Sequence, residues 1–220
     1  MRVVIAGAHG QVARRLGRLL SAGGDEVVGL VRNPAHADDL TGDGVQPAVL
    51  DLESAGVDQV AEVLTGADAV VFAAGAGPAS GPERKHTVDY GASVLLADAA
   101  ERAGVGRYLL VSSMGTPQAR QGTPPGMDPQ FAAYLQAKLR SEDDILPRTA
   151  LRTVVVRTGR LTDEPGTGRI TLGHGVEPGE VSRDDVAALL AALLRAGAAD
   201  DVVEVVGGTT PIDEAVASLP

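Results

Sequence analysis

A glycine turn at the first junction of the chain constrains its fold more than any other feature. The apolar run Arg2–Ala6 leads into Gly7-Ala8-His9-Gly10-Gln11-Val12-Ala13, and an amphipathic stretch over 11–22 follows. Gly7 permits a tight turn from strand to helix, and Gly10 lets the backbone come close to a ligand. Gly10, Ala13 and Gly17 form a stripe of small residues that brings the helix close to its sheet. The free N–H groups and partial positive charge of a helix N-terminus favour an anion such as a pyrophosphate. Gly7, His9, Gly10, Gln11 and Val12 are therefore candidate binding residues, with His9 offering a polar contact to phosphate.

The rest of the chain repeats the strand-to-helix alternation. Strands are expected at 26–31, 46–50, 69–73, 108–111, 151–156 and 202–206, and helices at 54–64, 84–103, 129–146 and after Ser182. In helix 11–22, Val12, Leu16, Leu19 and Leu20 are expected on the buried face. Asp128-Pro129 reads as an N-cap followed by proline at the first helical position, and Ser182-Arg183-Asp184-Asp185 resembles a capping box. Such alternation predicts an α/β class with a doubly wound, mostly parallel sheet of about seven strands: a single-domain Rossmann fold over 1–220. Three Gly- or Pro-rich segments, 75–83, 113–128 and 158–181, follow the fourth, fifth and sixth strands. Ligands bind at that edge of an open α/β sheet, and 158–181 is the expected substrate-side loop region.

Composition narrows the partners. Aromatics are 2% of the 220 residues, so aliphatic side chains and alanine must fill the core, and a base-stacking surface is not expected. A net charge of −10 also disfavours a phosphate backbone, so no nucleic-acid contact is expected. No cysteine is present, and the histidines at 9, 36, 86 and 174 lack ligand spacing, so no metal site is expected. No apolar run reaches membrane-span length, and the N-terminus opens directly into the first strand. A cytoplasmic monomer or homodimer acting on a small molecule is the expectation.

Within this acidic chain, residues 1–35 carry a local net +3. Arg14 and Arg18 read as solvated helix surface, but Arg32 ends the second strand in Leu30-Val31-Arg32-Asn33-Pro34. Folds of this class that prefer NAD place an acid there to bind the ribose 2′-hydroxyl. A guanidinium suits a 2′-phosphate instead, so the expected cofactor is NADP(H). Asp51 and Leu52, after the third strand, are expected near the adenine, Asp51 equally suiting a helix cap. Further along, Tyr134-Leu-Gln-Ala-Lys138 puts a phenol and an ammonium on one helix face. A nearby cation is expected to lower the phenol pKa, so that Tyr134 exchanges a proton with a carbonyl oxygen. Lys138 also suits the nicotinamide ribose, and Ser112 or Ser113 the substrate oxygen.

With these residues in view, the sequence resembles the short-chain dehydrogenase/reductase superfamily, and within it the atypical NAD(P)H-binding, sugar-epimerase-like members. The resemblance spans nearly the whole chain. It rests on GAHGQVA at 7–13, LVRNP at 30–34, VFAAGAG at 71–77, TVDYGA at 87–92, VSSMG at 111–115, YLQAK at 134–138, VVRTGRLTDEPGTGR at 155–169 and VSRDDVA at 181–187. It implies that Ala73, Ala74 and Gly75 pass along the cofactor and that 158–161 lines its nicotinamide end. Tyr134, Lys138 and Ser113 would match the active-site Tyr, Lys and Ser, with Ser112 or Met114 as alternative registers for the serine. Asp89 stands where the family has its active-site Asn, and Thr158 where relatives usually have Pro. The first functional expectation is an NADPH-dependent oxidoreductase of a small carbonyl or quinone. The alternatives are a non-catalytic NADP(H) redox sensor and a sugar epimerase or dehydratase. For the epimerase, Arg157, Arg160 and Arg169 would have to bind an anionic substrate, against their reading as ordinary surface charge. His174 reads as exposed loop.

Overall fold

The computed structural model describes residues 1–77, 80–197 and 200–219. The expected 75–83 loop therefore lies partly outside the described residues. The strands are β1 (Arg2–Ala6), β2 (Glu26–Val31), β3 (Gln46–Val49), β4 (Ala69–Phe72), β5 (Arg107–Ser113), β6 (Arg152–Thr158), β7 (Arg160–Thr162), β8 (Arg169–Gly173), β9 (Glu180–Ser182), β10 (Asp201–Gly207) and β11 (Thr210–Pro211). The α-helices are α1 (Gln11–Ala22), α2 (Ala37–Gly42), α3 (Val57–Leu64), α4 (Pro82–Arg84), α5 (Ser93–Ala103), α6 (Pro129–Ile145), α7 (Arg183–Ala196) and α8 (Ile212–Ala217).

Nine strands form one sheet in the order β11-β8-β10-β6-β5-β4-β1-β2-β3. Its β3-β2-β1-β4-β5-β6 portion is all parallel, the Rossmann arrangement, and β10 extends it in parallel. Among the described residues only β8 runs antiparallel, against β10 and β11. The strand count thus exceeds the seven expected. The region 158–181 is not one loop: it holds β7, β8 and β9, with β7 and β9 paired in a small second sheet. These strands are three to five residues long, too short to show a period in a Gly- and Pro-rich stretch.

The pleat divides the core into two layers. Val3 and Ile5 of β1 pack with α1, α7 and α8, while Val4 and Ala6 pack with α3 and α5 on the opposite face. Alanines bring the helices close, and Phe72 and Tyr108 are fully buried. The Tyr108 hydroxyl donates to the Ser93 carbonyl at 2.8 Å. Leu19 departs from expectation: it is 43% exposed, and α1 buries Val12, Ala13, Leu16, Gly17 and Leu20 instead. A Cβ on Gly17 would lie 2.6 Å from Val45, so the small-residue stripe meets the residue entering β3.

The caps at Asp128 and Ser182 form as read. Asp128 accepts from the Phe131 N–H at 2.8 Å, and Ser182 Oγ from the Asp185 N–H at 2.9 Å. The expected helix 84–103 is composite. Between α4 and α5, residues Lys85–Ala92 wind as a wider π-helix.

Candidate active-site cleft

The sheet order reverses between β1 and β4, and crossovers leave a crevice beyond the strand ends at that point. Two cavities open there, of about 290 and 720 Å³, and they share Gly10, Ala73, Ala74 and Gly75. They form one trough from β2 and β3 on one side to α6 on the other.

Gly7 shapes its floor. Its φ is +76°, and a Cβ there would sit 2.5 Å from the Ala74 Cα. The turn can therefore lie against the chain leaving β4 only as glycine. Gly10 has ordinary φ and serves as N-cap of α1 without a side chain to cover the first-turn N–H groups. A Cβ on Gly10 would lie 3.1 Å from the Gly7 carbonyl oxygen. This side-chain-free cradle at a helix N-terminus fits a pyrophosphate.

The smaller cavity is lined by Gly7, His9, Arg32, His36, Asp51, Leu52, Glu53 and Arg84, among others. His9 stacks on His36 with centroids 3.6 Å apart, and its Nε2 lies 2.8 Å from Asp39. Asp51 accepts from the Glu53 N–H at 3.0 Å, so it caps its own turn while facing the cavity. No acid follows Arg32 at the end of β2, but the fold brings one to it from the turn after β3. Glu53, from the neighbouring strand end, accepts from Arg32 Nη1 at 3.2 Å, from Arg84 Nη2 at 2.8 Å and from Thr87 Oγ1 at 2.7 Å. Asp51-Leu52-Glu53 carries that signal, but only strand order shows that β3 lies beside β2.

The larger cavity takes Gln11 and Val12 from α1, Lys85 and Asp89 from the π-helix, Ser112 from β5, and Phe131, Tyr134 and Lys138 from α6. Thr158, Leu161 and Arg183 close the far side. Lys138 is buried; its Nζ donates to the Ala74 carbonyl at 3.1 Å and lies 3.4 Å from Asp89 Oδ1. Asp89 is fully buried, accepting from the Ala76 N–H at 3.1 Å through Oδ2, while Oδ1 accepts no hydrogen bond among the described residues. The Lys138 ammonium also sits 6.0 Å from the Tyr134 ring centroid.

Tyr134 differs from expectation in ionisation. Burial, with Asp89 and Glu142 adding to it, pushes the phenol well above its ordinary value. Burial lowers the Lys138 ammonium, against the opposing pull of Asp89. The lysine turns toward Asp89, so desolvation outweighs its effect on the tyrosine.

Of the serine registers, Ser112 lines the trough and Ser113 does not. The Ser112 hydroxyl donates to buried Glu142 at 2.5 Å. Glu142 also accepts from Thr116 at 3.2 Å and from Arg157 Nη2 at 2.6 Å. Arg157 is thus committed to the interior, Arg160 pairs with Glu180, and Arg169 donates to the Thr209 carbonyl at 2.6 Å. These three arginines do not converge on an anion site. His174 is exposed and pairs with Asp201 at 2.7 Å. No group of three or more possible metal ligands occurs among the described residues, and no helix among them is long and apolar enough to cross a membrane.

Fold, glycine cradle and trough together define an α/β protein of the nicotinamide-dinucleotide-binding class. The chain belongs to the NAD(P)H-binding family, whose signature matches residues 7–196. It is 30% identical to a Bacillus subtilis protein named "Uncharacterized sugar epimerase YhfK", over the full length of both chains. A Bacillus halodurans structure described as a candidate NAD-dependent epimerase/dehydratase superposes with TM-score 0.89 and 34% identity, each chain fully covered. ChuY of Escherichia coli O157:H7, described as an anaerobilin reductase, has TM-score 0.79 and 26% identity, covering 94% of this chain and 97% of its own.

Proposed function

We propose that the chain is an NADPH-dependent reductase of small carbonyl or quinone acceptors, a single-domain member of the atypical short-chain dehydrogenase/reductases. The observation that carries this reading is the continuous trough from Arg32 through the glycine cradle to Tyr134 and Lys138. Bound NADPH would supply a hydride, two electrons with a hydrogen nucleus, to the acceptor carbon. The acceptor oxygen then needs a proton, and Tyr134 is the neutral donor lining that end. A phenol is protonated at neutral pH in any case; burial raises Tyr134 further and makes the transfer harder, so the phenolate needs stabilisation as it forms. Lys138, held by Asp89 and the Ala74 carbonyl, stabilises the phenolate left behind until solvent returns the proton. At the other end, Arg32, Arg84 and His36 are the groups to receive a 2′-phosphate, in competition with Glu53 for the two guanidinium groups.

The test is NADPH oxidation against a panel of aldehydes, quinones and flavins. Tyr134→Phe should lower kcat by about 100-fold while NADPH affinity survives. Unchanged kcat on a good acceptor removes the tyrosine from the chemistry.

One feature favours a second reading, a redox sensor. The Ser112 hydroxyl is engaged by Glu142, so it is not free to hold a substrate oxygen. A sensor would discriminate NADP from NADPH and turn over no acceptor; equal affinity for both forms rejects it.

A further inference from the structure

Lys85 is a second buried lysine in the larger cavity. It is 5% exposed and sits at the start of the π-helix. Its Nζ donates to the Gly77 carbonyl and lies 5.6 Å from the Tyr134 ring centroid. The other charged side chains around the cavity are engaged. Lys138 faces Asp89, Arg183 pairs with Asp163 at 2.9 Å, and Asp128 caps α6. Lys85 meets no carboxylate within 4.0 Å among the described residues; its neighbour one turn on, Asp89, lies 3.4 Å from Lys138 Nζ and accepts from the Ala76 N–H. An ammonium carries three donors, and one carbonyl uses one of them. A buried charge without a counter-ion is costly, and a ligand that brings the counter-ion removes the cost.

We propose that Lys85 is a specificity residue that binds an anionic group, a carboxylate, on the acceptor. The inference rests on the reductase reading for the word acceptor, but the anion site is testable without turnover. The cavity holds about 720 Å³. Phe131, 47% exposed and with its ring centroid 5.9 Å from that of Tyr134, provides an apolar wall at its mouth. The acceptor is therefore an apolar body with a carboxylate on the π-helix side and its reducible group at Tyr134.

The experiment compares 4-carboxybenzaldehyde with its methyl ester, of nearly equal shape and without the charge. Wild-type kcat/KM should favour the acid by about tenfold or more, the scale of one charge-assisted hydrogen bond. Lys85→Met should bring that ratio to about one, and Lys85→Arg should keep it above one. In parallel, benzoate is titrated calorimetrically into the NADP⁺-loaded protein, where Lys85→Met should weaken benzoate by about tenfold more than it weakens NADP⁺. A wild-type ratio at or below one overturns the proposal whether or not the variants fold. So does Lys85→Met weakening NADP⁺ as much as benzoate, which would make Lys85 a cofactor ligand. If neither aldehyde is reduced, the acceptor panel decides the reductase reading and the benzoate titration decides this one: binding that depends on Lys85 upholds the anion site, and its absence rejects it.

Discussion

Gly7 and Gly10 belong to one motif, but the structure gives them different work, and alanine at each should fail differently. At Gly7 the methyl meets two obstacles. The φ of +76° costs an L-residue roughly 1–2 kcal/mol. The new Cβ would also lie 2.5 Å from the Ala74 Cα and 2.7 Å from its nitrogen, which are backbone atoms that no rotamer change can move. Overpacking of this kind costs about 1–3 kcal/mol. Together, Gly7→Ala should destabilise by about 3 kcal/mol, a fall in Tm of roughly 6–12 °C for a chain of this size. Gly10 has φ −65°, and its Cβ would meet only the Gly7 carbonyl oxygen at 3.1 Å and the Ala73 carbonyl oxygen at 3.7 Å. Gly10→Ala should therefore cost under about 1 kcal/mol, while its methyl fills the approach to the helix N–H groups and weakens NADPH by about tenfold. Scanning calorimetry of the two apo variants, with fluorescence titration of NADPH into each, separates the roles. Equal Tm losses, or a Gly7→Ala protein as stable as wild type, would refute the reasoning.

The ribose end tests cofactor choice. Arg32→Ala should raise the NADPH Kd by about tenfold and leave NADH within about twofold, whereas Glu53→Gln should tighten NADPH by releasing the guanidinium. Weaker NADH binding by Glu53→Gln, with NADPH unchanged, would instead make Glu53 a ribose acid. In the interior, Arg157→Leu leaves buried Glu142 without its counter-ion and should cost about 3–5 kcal/mol in urea unfolding, with much of the loss recovered when Glu142→Met is added. On α1, the Arg14 hydrogen bond at 2.6 Å, aided by Arg18, holds Asp43 below the ordinary carboxylate value. A lowered folded-state pKa means its stabilisation is complete above the unfolded value and disappears as pH falls through the folded one. Asp43→Asn should thus be about 1 kcal/mol less stable at pH 7, and the gap should close as pH falls through the folded-state value.

Short-range patterns made most of the architecture readable. The glycine turn, the periodic helices and the caps at Asp128 and Ser182 are local, because each depends on residues within one turn of chain. The strands β7, β8, β9 and β11 were hidden because they form only through pairing with distant segments. Leu19 shows the limit of the periodic argument. It falls on the apolar side of the pattern, but the packing partners of α1 reach only as far as Leu16 and Leu20.

The sequence by itself determined the order of the seven parallel strands and the main helices between them, the cradle at Gly7 and Gly10, and the presence of Arg32, Tyr134 and Lys138. What those side chains face was decided by the tertiary structure. Strand order set Glu53 beside Arg32; α6 packing against β5 joined Glu142 to Ser112 and Arg157; and the π-helix carried Lys85 and Asp89 into the same cavity as Tyr134. The physical reason is that a residue's charge state and hydrogen-bond partners depend on burial and on neighbours within a few ångströms. Those neighbours come from segments such as Glu142 and Arg157, 15 residues apart, or Ala74 and Lys138, 64 apart, so the Tyr134–Lys138 spacing could suggest a lowered phenol pKa while burial raised it.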